Sequence, residues 1–387
     1  MSGSGALSGI LVVDFGRVLA APYATMLLAD LGAEIIKIER PGSGDDTRSW
    51  GPPWADGEAT YFLGVNRNKR SVAVDLRTPD GLAAVRDLVR RADVVVENFR
   101  PGTMERLGLG YEQLKVDNPG LVYCSVTGFG AGAGRDLPGY DLLAQAVGGL
   151  MSITGPDPSQ PTKVGVALVD VITGLHAAVG ILAALRHRDR TGRGQRVEVN
   201  LLSSLLSALT NQAAGYLGAG TVPQAMGNQH PSIAPYEVFP TADRPLVIAV
   251  GNDRQFRALA DALGLPGLAD DPRFADNASR VRHREELVAA LRQALARRGA
   301  DEWFTILSAA GVPAGPINDV AQAFALAERL GLAPVVEIED EARGTVSRQV
   351  ANPIRLSETP ACYRLPPPRL GAHTDVLPPA GSGNRDR

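Results

Sequence analysis

The chain has 387 residues, 44% of them hydrophobic, so it can bury more than one core, and its formal net charge is −3. Such a charge gives no broad attraction to phosphate backbones or anionic lipid, which argues against nucleic acid and membrane partners and favours small molecules. The two cysteines, Cys124 and Cys362, give no disulfide framework, and no Cys/His cluster has metal-ligand spacing. With no secretory signal and no apolar segment long enough to span a bilayer, we expect a cytoplasmic protein.

The first half of the chain alternates apolar runs with helical patterns. Residues 10–14 and 34–38 are typical of strands, and a helix is predicted at 23–31 after a turn at 16–22, which makes a βαβ unit. Further strands are predicted at residues 71–75, 94–97 and 121–126, with a helix at 79–91. This order is typical of an open, doubly wound, Rossmann-like α/β domain built on a parallel sheet.

Ligands of such a sheet bind beyond the carboxyl ends of its strands. Four segments fit that position, at residues 14–19, 39–48, 98–106 and 127–140. The turn at 16–22 lacks the glycines of G-x-G-x-x-G, so we expect no nicotinamide cofactor. The sequence also lacks the phosphate loop of triphosphatases and the G-x-S-x-G elbow of serine hydrolases.

One carboxylate, Asp170, lies inside the apolar run of residues 164–182. An unpaired charge is costly to remove from water, so this residue must be paired, cap a helix or take part in chemistry. Asp is a favoured N-cap, and Leu175, Ala178, Val179 and Leu182 have the spacing of a buried helix that follows it. These residues alone favour the cap over catalysis.

The second half begins with a more irregular pattern. We predict, in chain order, a basic turn at 186–194, a strand at 195–199, a helix at 200–214, a hairpin from 236–239 and 246–250, helices at 253–263, 283–298, 301–310 and 319–330, and a strand region at 335–353. The predicted domains are the amino-terminal part of a large α/β domain (1–214), a linker and active-site loop (215–234), a smaller α+β domain (235–312), a return segment packing on the large domain (313–377) and a disordered tail (378–387).

Several polar residues follow predicted strands and fit an anionic, partly apolar ligand. Arg40 offers a guanidinium that can hold a phosphate in a fixed fork. Asn98 and Phe99 offer an amide and an aromatic face, and Arg100 and Arg106 offer two more guanidiniums, which suit an adenine and its phosphates. Any one of these arginines, taken singly, is more often a solvated surface charge.

Other candidates have structural alternatives too. Tyr140 and Asp141 precede a predicted helix, where they could be a core ring and a cap. His230 and His373 lie in loops and could act as general bases, although such a histidine is more often packed or exposed to solvent.

In combination these segments resemble the class III coenzyme A transferases, the group of formyl-CoA transferase and carnitine CoA-transferase, whose fold also serves α-methylacyl-CoA racemases. The resemblance runs from about residue 7 to 377. The segments that carry it are Val13-Asp-Phe, Leu31-Gly-Ala-Glu-Ile-Ile-Lys-Ile-Glu-Arg40, Asn68-Lys-Arg-Ser-Val72, Val96-Glu-Asn-Phe-Arg-Pro-Gly102, Asp170-x-x-Thr-Gly174, Thr191-Gly-Arg-Gly-Gln195, Gly311-Val-Pro-Ala-Gly-Pro316 and Leu370-Gly-Ala-His-Thr374.

The resemblance implies acyl-CoA and a small carboxylic acid as substrates, no metal, and Asp170 as a nucleophile that passes through an anhydride and a CoA thioester, with Tyr140 in the same site. The implied coenzyme A site is formed by Val18, Arg40, Val74, Asn98, Phe99, Arg106 and Tyr140. The active-site loop of the family corresponds to Gly227, Asn228, Gln229 and His230, with one glycine in place of a run. Leu19 stands where formyl-CoA transferase has a glutamine, which makes oxalate or formate less expected.

Two alternatives stay open beside the transferase. A racemase of this fold uses a His and an Asp, but the His position is Tyr140 here, and a tyrosine is a poor base near neutral pH. A noncatalytic protein would bind coenzyme A without forming an adduct on Asp170. The family resemblance also implies a homodimer of two interlocked chains.

Overall fold

The computed structural model describes residues 5–377, and the predicted disordered tail lies outside them. The strands are β1 (Leu11–Asp14), β2 (Glu34–Glu39), β3 (Trp54–Ala55), β4 (Glu58–Ala59), β5 (Lys69–Ala73), β6 (Val94–Glu97), β7 (Val122–Thr127), β8 (Arg196–Asn200), β9 (Tyr236–Phe239), β10 (Leu246–Ala249), β11 (Ala314–Pro316), β12 (Val335–Asp340) and β13 (Thr345–Val350). The helices are α1 (Ala20–Asp30), α2 (Thr60–Leu63), α3 (Pro79–Arg90), α4 (Thr103–Arg106), α5 (Tyr111–Asp117), α6 (Asp141–Val147), α7 (Leu168–Thr191), α8 (Leu201–Ala208), α9 (Thr210–Ala219), α10 (Asp253–Ala262), α11 (Asn277–Arg282), α12 (Arg284–Leu295), α13 (Ala300–Ala309) and α14 (Val320–Arg329).

Contacts divide the described residues into two compact units. The first contains residues 5–150, 164–221 and 333–377, and its centre is a six-stranded parallel sheet in the order β5-β2-β1-β6-β7-β8. Alternate strand residues face opposite sides of the sheet, so that α1 and α7 cover one face and α3 covers the other. The chain is therefore a mixed α/β protein with a large parallel sheet, as the sequence predicted.

The strand order reverses direction between β1 and β6. From β1 the chain moves outward through β2 to β5, and it then returns to β6 on the other side of β1. The carboxyl ends of two adjacent strands diverge at such a point and leave a crevice for a ligand. The predicted ligand segments at residues 14–19 and 98–106 both begin there.

Several element boundaries differ from the sequence prediction, each for a physical reason. Helix α1 begins at Ala20 instead of residue 23, with Pro22 in the first turn, where the missing N–H costs little. Strand β5 begins at Lys69, a residue too polar for the predicted strand, because its ammonium is buried against Asp14. The predicted helix at 200–214 is two helices, which part at Thr210 with a φ of 42°.

The long helix α7 differs most from its prediction. The basic segment at 186–194 is not a turn, because the helix continues to Thr191 and ends at Gly192 with a φ of 70°. Its buried face is formed by Val169, Thr173, Gly174, Ala177, Ala178, Ile181, Ala184 and Leu185. The predicted buried stripe is largely wrong, because Leu175, Val179 and Leu182 are 43%, 64% and 37% exposed on the first unit.

Helix α7 also meets the length and hydropathy criteria of a membrane span, with a mean hydropathy of 2.0 over an 18-residue window. The expectation from the sequence concerned uninterrupted apolar segments, and α7 is interrupted by Asp170, Thr173, Gly174 and His176. However, 44% of the window is buried within the protein, and the core helix of a soluble protein passes the same test. The finding is therefore weak evidence for a membrane segment.

The second unit contains residues 151–163 and 222–332. A three-stranded antiparallel sheet, in the order β11-β10-β9, packs with α10, α12 and α13 around one apolar core. The predicted hairpin is β9–β10, and the four-residue repeat Leu287, Leu291 and Leu295 is buried in that core.

The two units divide the chain differently from the predicted domains. Residues 151–163 belong to the second unit, and the return to the first unit begins at Ala333 instead of residue 313, because β11 pairs with β10. Residues 333–377 form part of the first unit and are joined to its earlier segments by backbone hydrogen bonds. The Asn68 N–H donates to the Leu365 carbonyl at 2.8 Å, and the Cys362 N–H donates to that of Asp30 at 2.7 Å.

Candidate active site

Two cavities open at the carboxyl edge of the parallel sheet. The Asp170 cavity, about 200 Å³, is lined by Asp170, Tyr140, Val18, Asn98 and Phe99 among others. The Arg40 cavity, about 310 Å³, is lined by Arg40, Val74, Phe99 and Arg106 among others. Every residue of the predicted coenzyme A site therefore lines one of two cavities in the first unit, and Phe99 lines both.

Buried charges organise the turn that follows β1. The Asp14 carboxylate accepts a hydrogen bond from the Gly16 N–H at 2.7 Å and pairs with the Lys69 ammonium at 3.2 Å. The Lys37 ammonium donates to the Gly16 carbonyl at 2.6 Å and lies 2.9 Å from the Asp45 carboxylate. All four charged side chains are fully or almost fully buried, so each charge needs the partners it has here.

Burial and neighbouring charges together set the pKa values of Asp45 and Lys37. Burial opposes ionisation of Asp45, but the Lys37 ammonium and hydrogen bonds from Thr47 outweigh it and lower the Asp45 pKa to about 2. Burial also opposes the charge on Lys37, but Asp45, Asp14 and Glu39 together raise its pKa above the usual value. This ion pair therefore stays charged throughout the neutral range.

The turn places Val18 in an unusual backbone conformation. Its φ is 67°, in the left-handed region that β-branched residues rarely adopt. The Val18 N–H donates to the Asp45 carboxylate at 3.2 Å. On the preceding residue, the Arg17 N–H donates to Asn98 Oδ1 at 2.9 Å and Asn98 Nδ2 donates to the Arg17 carbonyl at 2.7 Å. These bonds hold a strained turn in the wall of the Asp170 cavity.

Asp170 is in the first turn of α7 and is not its N-cap, so the cap interpretation of the sequence is wrong. The helix begins at Leu168, and its N-cap, Ala167, has no side-chain hydrogen bond. Asp141 supplies the missing acceptor: one oxygen of its carboxylate accepts from the N–H groups of Val169 at 2.8 Å and Asp170 at 3.2 Å. The predicted cap at Asp141 exists, but it serves α7 and not α6.

The Asp170 carboxyl group has a raised pKa. Burial is the first cause and the neighbouring Asp141 carboxylate the second, and together they raise it to about 7. Neither a cation nor a hydrogen bond from the described residues lowers it. A carboxylate in this state is poorly stabilised, so it gains more than an ordinary Asp from bonding to an electrophile or a proton.

Close packing fixes the start of α7 beside α1. Gly174, one turn after Asp170, faces the first turn of α1, and a Cβ atom there would lie 2.6 Å from the Ala20 carbonyl oxygen. Only a glycine permits this approach. The contact brings Asp170 to the end of the sheet where β1 and β6 diverge, and Val18, Leu19 and Ala20 line the same cavity.

The Arg40 cavity has a mainly apolar interior with cations among its lining residues. Arg106 Nη2 donates to Thr103 Oγ1 at 3.1 Å, and Arg77 pairs with Asp75 at 2.8 Å. Phe99, Arg17 and Asp46 line both this cavity and the Asp170 cavity, and Phe99 packs against the core around β6. Such a site suits a flat heterocycle with phosphate groups.

The predicted active-site loop lies in the second unit. The Gly227 N–H donates to the Gly155 carbonyl at 3.0 Å with a φ of 63°, a conformation that favours glycine. Arg284 Nη2 donates to the His230 carbonyl at 2.6 Å, and Gln229 Nε2 donates to Glu237 at 3.3 Å. Hydrogen bonds within its own unit therefore hold the loop at both ends, from the Gly155 backbone at Gly227 and from the Arg284 side chain at His230.

The other candidate histidine, His373, is structural. Its Nδ1 accepts from the Ser71 N–H at 3.3 Å, and its own N–H donates to the Ser71 carbonyl at 2.9 Å. Burial lowers its pKa. Within residues 5–377, no group of three or more His, Cys, Asp and Glu side chains is arranged to hold a metal ion.

Sequence reasoning missed three residues that the structure brings to the site. Arg17 lines both cavities, Arg77 lines the Arg40 cavity, and Arg135 lines the Asp170 cavity. Arg17 lies inside the predicted ligand segment at 14–19, so its position was a signal that could have selected it. Arg135 likewise lies inside the predicted ligand segment at 127–140, whereas Arg77 lies in an exposed loop, where the sequence gives no such signal.

Comparison with known proteins gives a consistent result over the whole length. The family model described as CoA-transferase family III matches residues 7–374. The chain is 47% identical to succinate–glutarate CoA-transferase of Agrobacterium fabrum over 95% of this chain and 93% of the relative. It is 44% identical to acetyl-CoA:oxalate CoA-transferase of Acetobacter aceti over 82% of each.

A solved structure agrees with these sequence relatives. The crystal structure of a CAIB/BAIF family protein from Brucella suis superposes with a TM-score of 0.86 at 42% identity, covering 97% of this chain and 98% of that one. The similarity therefore extends to the full fold of the chain.

Proposed function

Because the chain belongs to CoA-transferase family III and is an acyl-CoA:carboxylate CoA-transferase, we propose that Asp170 is the nucleophile through which coenzyme A passes. The observation that carries this proposal is the state of the Asp170 carboxyl group. It lies in a cavity wall at the start of α7, and burial and Asp141 raise its pKa to about 7 without a compensating cation. Such a group is a stronger nucleophile than an exposed carboxylate and is still largely ionised at slightly alkaline pH.

The proposed reaction has four steps. A carboxylate oxygen of Asp170 attacks the thioester carbonyl carbon, the C–S bond breaks, and the coenzyme A thiolate leaves a mixed anhydride behind. The thiolate attacks the Asp170 carbonyl carbon, which releases the first acid and leaves an aspartyl-CoA thioester. The acceptor carboxylate attacks that thioester and re-forms an anhydride, and the thiolate then attacks the acceptor acyl carbon, which restores the Asp170 carboxylate.

The residues around Asp170 support this chemistry. Covalent catalysis needs a site that limits access of water to the anhydride, and Asp170 lies in the wall of a small cavity. The N–H of Asp170 is already engaged by Asp141, which fixes the first turn of α7 while the side chain changes between free and acylated forms. We assign coenzyme A to the two cavities, with Val18, Asn98, Phe99 and Tyr140 near Asp170 and with Arg40, Val74 and Arg106 at the nucleotide end.

The racemase alternative finds no support in this cavity. No histidine is among the described residues that line it, and the family position of that base is Tyr140. The tyrosine is 60% exposed, and we propose that it contacts the substrate without acting as a base.

The names of the relatives suggest the substrate class. One relative is a succinate–glutarate transferase, and others act on oxalate, citramalate or mesaconate by name, all of them dicarboxylic acids. We propose succinyl-CoA as donor and a small dicarboxylic acid such as glutarate as acceptor. The argument from Leu19 against oxalate stays a prediction.

The test is an adduct on Asp170. Incubation with succinyl-CoA, followed by mass analysis of the peptide that contains Asp170, is expected to reveal a coenzyme A or succinyl adduct, which Asp170→Asn abolishes together with CoA transfer. The control is Asp189→Asn, an exposed carboxylate near the other end of the same helix, which is expected to keep both. Transfer by Asp170→Asn at the wild-type rate would contradict the nucleophile assignment, and coenzyme A binding without transfer in the wild type would favour a noncatalytic binding protein.

We further propose that the chain forms a homodimer. On the first unit, α7, α8 and α9 expose Leu175, Val179, Leu206 and Leu217, with Leu217 81% exposed. Exposed apolar side chains in this number are typical of an interface. Light scattering is expected to give twice the 40.7 kDa mass of one chain, and a monomer at micromolar concentration would contradict the proposal.

A further inference from the structure

Arg17 has a buried donor with no partner. Its Nε is shielded from solvent and makes no hydrogen bond within residues 5–377. Buried N–H groups almost always have a partner, because an unpaired one loses its bond to water without replacement. Arg17 also lines both cavities.

The rest of the Arg17 side chain is held in place. Nη1 pairs with the Asp46 carboxylate at 3.2 Å, and the guanidinium lies 5.1 Å from the centre of the Phe99 ring. The backbone N–H and carbonyl of Arg17 are both bound by the Asn98 side chain. Within residues 5–377, the Nε and Nη2 edge has no hydrogen-bond partner, and the contacts with Asp46 and Phe99 fix its direction.

That edge is a pair of parallel donors that matches the two oxygens of a carboxylate. Asp170 is not its partner, because no cation lowers the Asp170 pKa. The oxyanion must then come from the substrate, at some distance from the reacting group. A small dicarboxylic acid fits within the roughly 200 Å³ of the Asp170 cavity.

We propose that Arg17 binds the second carboxylate of a dicarboxylic substrate, the one that does not react, while the first faces Asp170. The inference rests on the proposed function and adds a residue that selects the substrate class. A phosphate of coenzyme A has the same chemistry and could reach the same edge, since Arg17 also lines the Arg40 cavity. The experiment distinguishes these two sources.

The test compares glutarate with pentanoate, which has the same number of carbons but one carboxylate. With saturating succinyl-CoA, Arg17→Gln is expected to raise the KM for glutarate by about tenfold to a hundredfold, as the loss of a charge-assisted pair does, with a smaller change in kcat. The preference for glutarate over pentanoate in kcat/KM is expected to fall by a similar factor. The Kd of free coenzyme A, measured by calorimetry, is expected to stay within about twofold, because the proposed contact of Arg17 is with the acid and not with coenzyme A.

Two further variants control for folding and charge. Arg17→Lys keeps the cation but loses the fork, and it is expected to recover only part of the glutarate affinity. Arg257→Gln removes an exposed pair with Asp270 of similar geometry in the second unit and is expected to leave glutarate kinetics unchanged.

Each of the remaining outcomes leads to a different conclusion about Arg17 or about the proposed function. A rise in the coenzyme A Kd that matches the loss for glutarate would assign Arg17 to a phosphate and overturn the inference. Glutarate kinetics as unchanged as in Arg257→Gln would also overturn it and leave Arg17 as a surface ion pair. If the wild type transfers no coenzyme A at all, the proposed function fails, whereas transfer that does not depend on Arg17 contradicts this inference alone.

Discussion

The turn after β1 and the start of α7 face the same cavity. The buried charges of the turn are paired, whereas the buried carboxylate at the helix start has no cation beside it. In the turn, Lys37 and Asp45 form a buried ion pair, and each also binds a backbone group of the segment from Gly16 to Val18. At the helix start, Asp170 has a carboxylate neighbour and no cation, and its pKa rises to about 7. Paired charges hold the first region in place, whereas the second region keeps a carboxyl group whose ionised form is poorly stabilised.

The largest effect is expected from breaking the paired region. Lys37→Met leaves the Asp45 carboxylate buried without its partner and the Gly16 carbonyl without its donor. We expect the free energy of unfolding to fall by roughly 3–5 kcal/mol, as for one-sided loss of a buried ion pair. Chemical denaturation at pH 7 measures it.

Two controls sharpen this result. Lys115→Met removes an exposed helical pair with Glu112 and is expected to cost at most about 0.5 kcal/mol. Lys37→Met combined with Asp45→Asn is expected to recover part of the loss, since no charge is then left alone. Equal destabilisation by Lys37→Met and Lys115→Met would show that the turn does not depend on its ion pair.

At the start of α7, where Asp170 has no cationic partner, removal of the charge is expected to stabilise the protein. The folded-state pKa of Asp170 lies above the usual value of 3.8, so above pH 7 the native state must hold a charge that the unfolded state holds more easily. Asp170→Asn is therefore expected to stabilise the protein at pH 8 by roughly 2 kcal/mol, allowing for partial exposure of the group.

The sign of this effect can be checked by titration. Below pH 4 the Asp170 carboxyl group is protonated in both states, and the stability that it contributes is fully present; this contribution is lost as the pH rises through about 7. The difference in unfolding free energy between Asp170→Asn and the wild type should therefore shrink steadily from pH 8 to pH 4. Thermal unfolding at several pH values measures it. An advantage that is constant across this range would mean that the Asp170 pKa is ordinary.

The smallest effect is expected at Asp141, which links the cap of α7 to the charge at Asp170. Asp141→Asn keeps an oxygen for the N–H groups of Val169 and Asp170 but removes the negative charge that raises the Asp170 pKa. We expect the acidic limb of the profile of kcat/KM against pH to move to lower pH by about half a unit to one unit, with stability changed by less than about 1 kcal/mol. An unshifted limb would assign the raised pKa to burial alone.

Much of the fold was predictable because it depends on local patterns. The apolar runs at β1, β2, β6 and β7 and the amphipathic pattern of α3 each signal their structure within a few residues, and their order implies a parallel sheet. The predicted ends of strands and helices were wrong where a contact with a residue far away in the sequence sets the end of the element. Lys69 belongs to a strand because Asp14 neutralises it, and α7 continues through its basic segment, where Arg188 pairs with Asp93 at 2.6 Å.

Some residues of the candidate site could be selected from local sequence, and others could not. Arg40, Asn98, Phe99 and Arg106 could be selected from the sequence, because each follows a strand end in a sheet whose carboxyl edge binds ligands. Family resemblance supplied Val18, Val74 and Tyr140. Arg17 lies in the predicted ligand segment at 14–19, but its unpaired Nε, the feature that distinguishes it, exists only in the folded chain.

The sequence by itself determined the class of fold, the edge of the sheet at which the candidate site lies and the choice of one carboxylate in an apolar run as a candidate. These follow from hydrophobic periodicity, chain order and the cost of burying a charge, all of which are properties of neighbouring residues. Only the tertiary structure decided that Asp141 caps α7, that Asp170 lies within its first turn, and that Lys37 and Asp45 hold the turn at Val18. Each of these depends on side chains brought together from separate segments, so the fold must form before the charges of the site are set.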